Sequence, residues 1–103
     1  MKKIKYDGVL EAAHFKSDGQ LDWVRVYIRL GSIFSDRILL SRQAFVKQLK
    51  DGKRYMLGER IINLGGKFTV SQPVRLQQQD GKDVIVVGDT RATEDTLAGV
   101  PLL

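Results

Sequence analysis

The chain contains no cysteine among its 103 residues. That excludes disulfides, thiolate zinc sites and cysteine nucleophiles. It has one histidine, His14, so no histidine pair exists to hold a metal or to build a relay. His14 lies among Ala12, Ala13 and Phe15, and the carboxylates of Asp18 and Asp22 follow it without any recognised ligand spacing. It reads as a partly exposed histidine at a strand end. No catalytic residue and no metal ligand is assigned, and no cofactor is expected. There are two prolines, and no apolar run approaches the 18 or so residues of a membrane-spanning helix. The basic start, Met1-Lys2-Lys3-Ile4-Lys5, is not followed by an apolar signal core. The expectation is a soluble, cytoplasmic protein without a membrane partner.

An apolar content of 43% and a charged content of 28% are those of a globular domain, and the length suits a single hydrophobic core. The formal net charge is +5, unevenly spread. Residues 1–60 carry 13 Lys and Arg against 7 Asp and Glu, while residues 61–103 carry 4 against 5. A basic half draws polyanions by long-range attraction and counterion release.

Period-two alternation dominates the pattern. Strands are expected over Lys3 to Phe15, Leu21 to Leu30, Ile33 to Leu40, Lys53 to Arg60 with Ile61 and Ile62 continuing, Lys67 to Leu76, and Asp83 to Gly88. Gly8 marks a bulge or bend in the first. Pro73 lacks an N–H, so the fifth is an edge strand or is bulged there. Val84-Ile85-Val86-Val87 has no polar interruption and reads as buried on both faces. Asp18-Gly19 and Asp80-Gly81 supply hairpin turns. Ser41 to Asp51 is a helix, with Ser41 as its cap, Phe45 and Leu49 on one face, Lys47 and Lys50 near its end, and Gly52 just beyond. Thr93 can cap a single helical turn through Leu97.

These elements make a mainly β domain over residues 1–89, a small antiparallel barrel of about six strands with one short helix between strands three and four. A helix in that place is found in OB-like barrels, and an SH3-like barrel with an inserted helix fits nearly as well. Residues 90–103 form a C-terminal tail that docks on the body or pairs with a second copy.

The most telling stretch is Trp23-Val24-Arg25-Val26-Tyr27-Ile28-Arg29-Leu30. One face of this strand is Val24, Val26, Ile28 and Leu30. The other is Trp23, Arg25, Tyr27 and Arg29, which are aromatic and cationic. Lys53 and Arg54, with Tyr55 beside them, extend that surface if the second and fourth strands lie close. Three readings fit. The stripe stacks bases and neutralises phosphates; or it is an outer sheet face covered by its own cross-strand pairs; or it is a protein interface. Leu64-Gly65-Gly66-Lys67 lacks the spacing and the helix of a phosphate loop and reads as a turn. Asp36 and Arg37 read as a local ion pair, and no nucleophile elbow surrounds Ser35 or Ser41. The expected function is a non-enzymatic binding module for single-stranded nucleic acid or another polyanion, using Trp23, Arg25, Tyr27, Arg29, Lys53 and Arg54. The alternative is a small accessory or scaffold subunit that binds a protein partner or forms a homodimer.

Overall fold

The computed structural model describes residues 6–31, 33–61, 68–79, 81–88, 92, 94–97 and 99–103. Among these residues, seven strands and one helix follow in order: β1 (Gly8–Phe15), β2 (Leu21–Leu30), β3 (Ile33–Phe34), β4 (Ile38–Ser41), α1 (Arg42–Lys50), β5 (Tyr55–Arg60), β6 (Phe68–Gln79) and β7 (Lys82–Val87). The strand order is β3-β2-β1-β5-β6-β7, with β4 also on β2. β3 and β4 share one edge of β2: Arg29 and Leu30 pair with Phe34 and Ile33, and Trp23 to Val26 pair with Ser41 to Ile38. The expected third strand is thus two short strands, split at Ser35 to Arg37.

The mainly β reading with one short helix holds. A closed, wholly antiparallel barrel does not. The sheet curls into a half-barrel that stays open, and β1 and β5 run parallel, with Gly8, Val9 and Leu10 opposite Tyr55, Met56 and Leu57. The parallel pair follows from α1, which carries the chain from β4 beyond β2 back to the far side of β1. A parallel pair needs such a crossover.

The helix forms as its residues dictate. Ser41 is extended and its Oγ accepts from the Ala44 N–H at 3.1 Å. Phe45 and Val46 turn inward, and Phe45 meets Tyr55 edge-on with ring centroids 4.9 Å apart. Gly52 ends the helix at φ +90°, where a side chain would be strained. The main core lies between α1 and the sheet, built on Leu10, Val24, Val26, Phe45, Tyr55, Leu57, Val74 and Ile85.

Three local readings change. The bulge of β1 falls at Glu11, between the pairs Leu10–Val26 and Ala12–Arg25, and not at Gly8. Gly8 is required for another reason: a Cβ there would enter the ring of Tyr55. Pro73 lies within β6, between β5 and β7, and so is on no edge; the bulged alternative is the one realised, since the β5–β6 register shifts between Met56 and Gly58. The N–H that it lacks would face Gly88 O, which accepts from Arg75 Nε instead, while its carbonyl accepts from Gly88 N–H at 2.8 Å. Residues 94–97 are not helical; instead Thr96 N–H donates to Ile85 O at 2.8 Å along the outer edge of β7. Val84 to Val87 are buried on both faces, as their unbroken run implies. The start of the first strand at Lys3 to Lys5, Ile62, Leu64 to Lys67, Asp80 and Thr93 lie outside the described residues.

The tail docks at two places. Asp95 Oδ1 accepts from the Ile85 N–H at 2.9 Å and from Arg42, whose Nε donates to Asp95 Oδ2 at 2.6 Å. Further on, Ala13 N–H donates to Pro101 O and Leu103 N–H donates to Ala13 O. Among the described residues no helix is long and apolar enough to cross a membrane.

Candidate nucleic-acid interface

The pleat of β2 sends Trp23, Arg25, Tyr27 and Arg29 to the sheet face opposite α1, as alternation requires. What surrounds each residue there differs. Tyr27 is 1% exposed. Its ring meets Phe68 at 4.8 Å in a T-shaped contact, Phe68 meets Phe34 at 4.8 Å, and Phe34 meets Tyr6 at 6.0 Å. Arg60 lies over both Tyr27 and Phe68, its guanidinium carbon 5.4 and 6.0 Å from the two centroids. The rings of this row that remain half-exposed are therefore Tyr6, Phe34 and Phe68, with Tyr27 beneath them.

The bulge at Glu11 sets the electrostatics. The extra residue turns a carboxylate onto the stripe, where it is only 8% exposed. Glu11 Oε1 lies 2.7 Å from Arg25 Nε and 2.8 Å from Arg37 Nε. The expected local pair of Asp36 with Arg37 is replaced by this longer-range contact. Arg37 Nε donates its one proton to Tyr27 Oη at 3.0 Å, so its contact with Glu11 Oε1 is coulombic. That bond, and then the charge of Glu11, hold the Arg37 pKa above its ordinary value, so the guanidinium stays charged at every working pH. The Arg25 Nε–H is buried but not aligned on Oε1, so its attachment is coulombic rather than a directed bond.

Arg29 sits at the far end, with Nη2 3.7 Å from Asp7 Oδ1. Asp7 also accepts from the Arg54 backbone N–H, through Oδ2 at 2.9 Å. Lys53 and Arg54 are exposed in the segment between α1 and β5, and a cleft of about 410 Å³ brings Lys53 beside Arg29. The structure thus joins Lys53 and Arg54 to the Arg29 end alone. Tyr55 does not extend this surface, being 1% exposed within the core. The basic cluster around the helix end is divided. Lys50 Nζ turns to Asp83 Oδ2 at 2.7 Å, and this hydrogen bond lowers the Asp83 pKa.

Trp23 marks the opposite end, about 20 Å from Arg29 at the rise of a strand. It is half-buried, and the His14 ring stacks on it at 5.3 Å and 18°. His14 Nδ1 lies 2.6 Å from Leu103 O, and its Nε2 lies 3.9 Å from Asp22 Oδ2. His14 is half-buried at the strand end, as its surroundings in the sequence indicate. No group of three His, Cys, Asp or Glu among the described residues is placed to hold a metal ion.

Tyr6, Phe34, Phe68, Arg37, Arg60 and Glu11 join the face without having been expected there. Phe68 and Arg60 are cross-strand partners; Arg60 follows the alternation of its strand, but alternation along Lys67 to Leu76 places Phe68 inward with Val70, Val74 and Leu76, and the register shift between Val70 and Pro73 turns it to the other face. Glu11 was not, since nothing in its neighbours marks the bulge. Comparison of the chain with known protein families, curated proteins and solved structures gives no match.

Proposed function

We propose that this chain is a non-enzymatic module that binds single-stranded nucleic acid or a related polyanion across the outward face of β2. The observation that carries the reading is the row of half-exposed rings, Tyr6, Phe34 and Phe68, bordered by Arg25, Arg29, Arg37 and Arg60 on one sheet face. Aromatic rings stack on bases of any sequence, at roughly 1–3 kcal/mol per base. Arginines bring charge and planar donor edges to phosphates. Against these cations stand Glu11 and Asp7, so the face keeps a positive excess. Trp23 and Lys53 with Arg54 bound the face at its two ends, while Tyr27 acts from below by carrying Phe68 and orienting Arg37. The helix between β4 and β5 supports an OB-like reading of the half-barrel over an SH3-like one.

The test is Trp23 fluorescence, titrated with mixed-sequence single-stranded DNA and RNA at low and moderate salt. Quenching that weakens steeply with salt is expected. Emission unchanged by either polymer, together with unchanged mobility of a labelled strand, rejects the reading.

A second reading has its own observation. Leu30 and Ile33, paired across β2 and β3, and Leu39 of β4 are 55%, 65% and 60% exposed. Exposed leucines beside an edge strand favour a protein partner or a second copy. Sedimentation of the wild-type chain and of Leu39→Lys separates the two, because only an apolar interface loses mass on that substitution.

A further inference from the structure

We infer that Arg25, Glu11 and Arg37 form a preorganised clamp for one phosphate group, with Glu11 as the positioning residue beneath it. This deepens the proposed polyanion reading and rests on it. Both guanidiniums approach the same carboxylate oxygen through Nε, at 2.7 and 2.8 Å. Their Nη donors are left over. Among the described residues Arg25 makes no directed hydrogen bond, and Arg37 makes one, from Nε to Tyr27 Oη. A guanidinium that faces an anion through Nε keeps its Nη donors for a second partner. With both Nε atoms within 2.8 Å of one carboxylate oxygen, the two guanidiniums are neighbours, and their Nη donors are near enough to serve one ligand.

The layering supports that arrangement. Glu11 is 8% exposed, the Arg25 side chain 30% and the Arg37 side chain 60%, so the carboxylate lies deepest and Arg37 outermost. Two cations over one anion leave a net positive charge. The fixed carboxylate also holds the two guanidiniums together against their mutual repulsion, so little ordering is left to do when the ligand arrives. The chemistry that fits is a tetrahedral oxyanion with several acceptors, a phosphodiester or phosphomonoester, gripped by planar forks. The row of rings is tied to the clamp through Tyr27, which bonds Arg37 and packs on Phe68. A strand with one phosphate in the clamp has bases within reach of Phe68 and Phe34.

The experiment compares binding of a short oligothymidylate by the wild-type chain, Arg37→Gln, Arg37→Lys and Glu11→Gln, over a range of salt. Arg37→Gln is expected to weaken binding about tenfold and to reduce the salt slope by about 0.7, the value of one phosphate contact on a single strand. Arg37→Lys keeps the slope but binds several-fold more weakly, because an ammonium offers no fork. Glu11→Gln also weakens binding, although it makes the protein more positive. That sign separates positioning from bulk charge. Equal or tighter binding by Glu11→Gln overturns the clamp, as do Arg37 variants that bind like the wild type. Arg37 is exposed, so its variants test the clamp even if Glu11→Gln unfolds. In that case a lysine variant equal to wild type overturns it. If the wild-type chain binds no oligonucleotide, the functional reading and the clamp fall together; if it binds and the variants make no difference, the clamp alone falls. Inorganic phosphate added as competitor distinguishes the source. Displacement at low millimolar phosphate in the wild type and not in Arg37→Gln assigns the clamp to free phosphate as well as to a strand.

Discussion

Single residues show where burial alters chemistry. Tyr55 is enclosed between Phe45, Gly8 and the sheet, and its hydroxyl donates to Gln48 Oε1. Burial, aided by the negative charge of Asp7, pushes its pKa up from 10.0 to about 12. Below pH 10 the hydroxyl is protonated in both states, and its contribution is fully present. Between pH 10 and 12 the unfolded chain ionises first, so the folded state loses that advantage as pH rises. Two pKa units correspond to about 2–3 kcal/mol. Urea unfolding at pH 9 and pH 12 is expected to show this extra loss in the wild type, and a smaller one by about that amount in Tyr55→Phe. Equal alkaline losses in the two proteins reject the assignment. The residue scale is also where the sequence was least legible. Alternation put Tyr27 on the right face but not under Phe68, because its cover comes from a residue 41 positions away. Arg37 looked like a partner for Asp36 because that carboxylate is adjacent; the bulge at Glu11 supplied a better-buried one.

Elements were legible where their signals are local. Leu21 to Leu30 is a strand over its whole expected length, since alternation and the Asp18-Gly19 turn both lie within it or beside it. The helix was equally plain, with a capping serine at one end and a glycine at the other. Its cap makes a direct prediction. Ser41 Oγ satisfies one of the N–H groups that the first turn leaves without a partner. Ser41→Ala is expected to lower stability by about 1 kcal/mol, read as a shift in the urea midpoint with an unchanged m-value. Because α1 is only nine residues long, it depends on Phe45 and Val46 packing into the core. A change in m-value would mean that the helix detaches as a unit. The strand from Ile33 to Leu40 was less legible. Asp36 and Arg37 interrupt its pattern, and the structure uses that interruption to divide the strand in two along one edge of β2.

Strand order belongs to the whole molecule, and so was hidden from a reading by segments. Alternation places residues on faces but does not say which strands are neighbours, and neither the β1–β5 parallel pair nor the open half-barrel has a local signature. The tail shows what that openness requires. From the sequence the tail docks either on the body or on a second copy, with nothing local to choose between them; in the structure Leu97 and Val100 are 5% and 9% exposed against the body. Their segment bonds to the free edge of β7 at Ile85 and to β1 at Ala13, past the stretch from Gly8 to Leu10 that β5 covers. The tail therefore covers both of these open stretches with one short segment, and burial of its apolar residues offsets the cost of ordering it. Removing residues 99–103 takes away the bonds at Ala13 and the Val100 side chain. From one buried valine and two net hydrogen bonds, the loss is expected to be about 3 kcal/mol. Denaturant unfolding measures the total, and amide exchange locates it: Ala13 N–H loses protection while Ile85 N–H, held by Asp95, keeps it. If the truncated chain unfolds at the same denaturant concentration, the tail is an appendage. If Ile85 is deprotected together with Ala13, the two docking points are one cooperative unit, and the open stretch of β7 is closed only when that of β1 is.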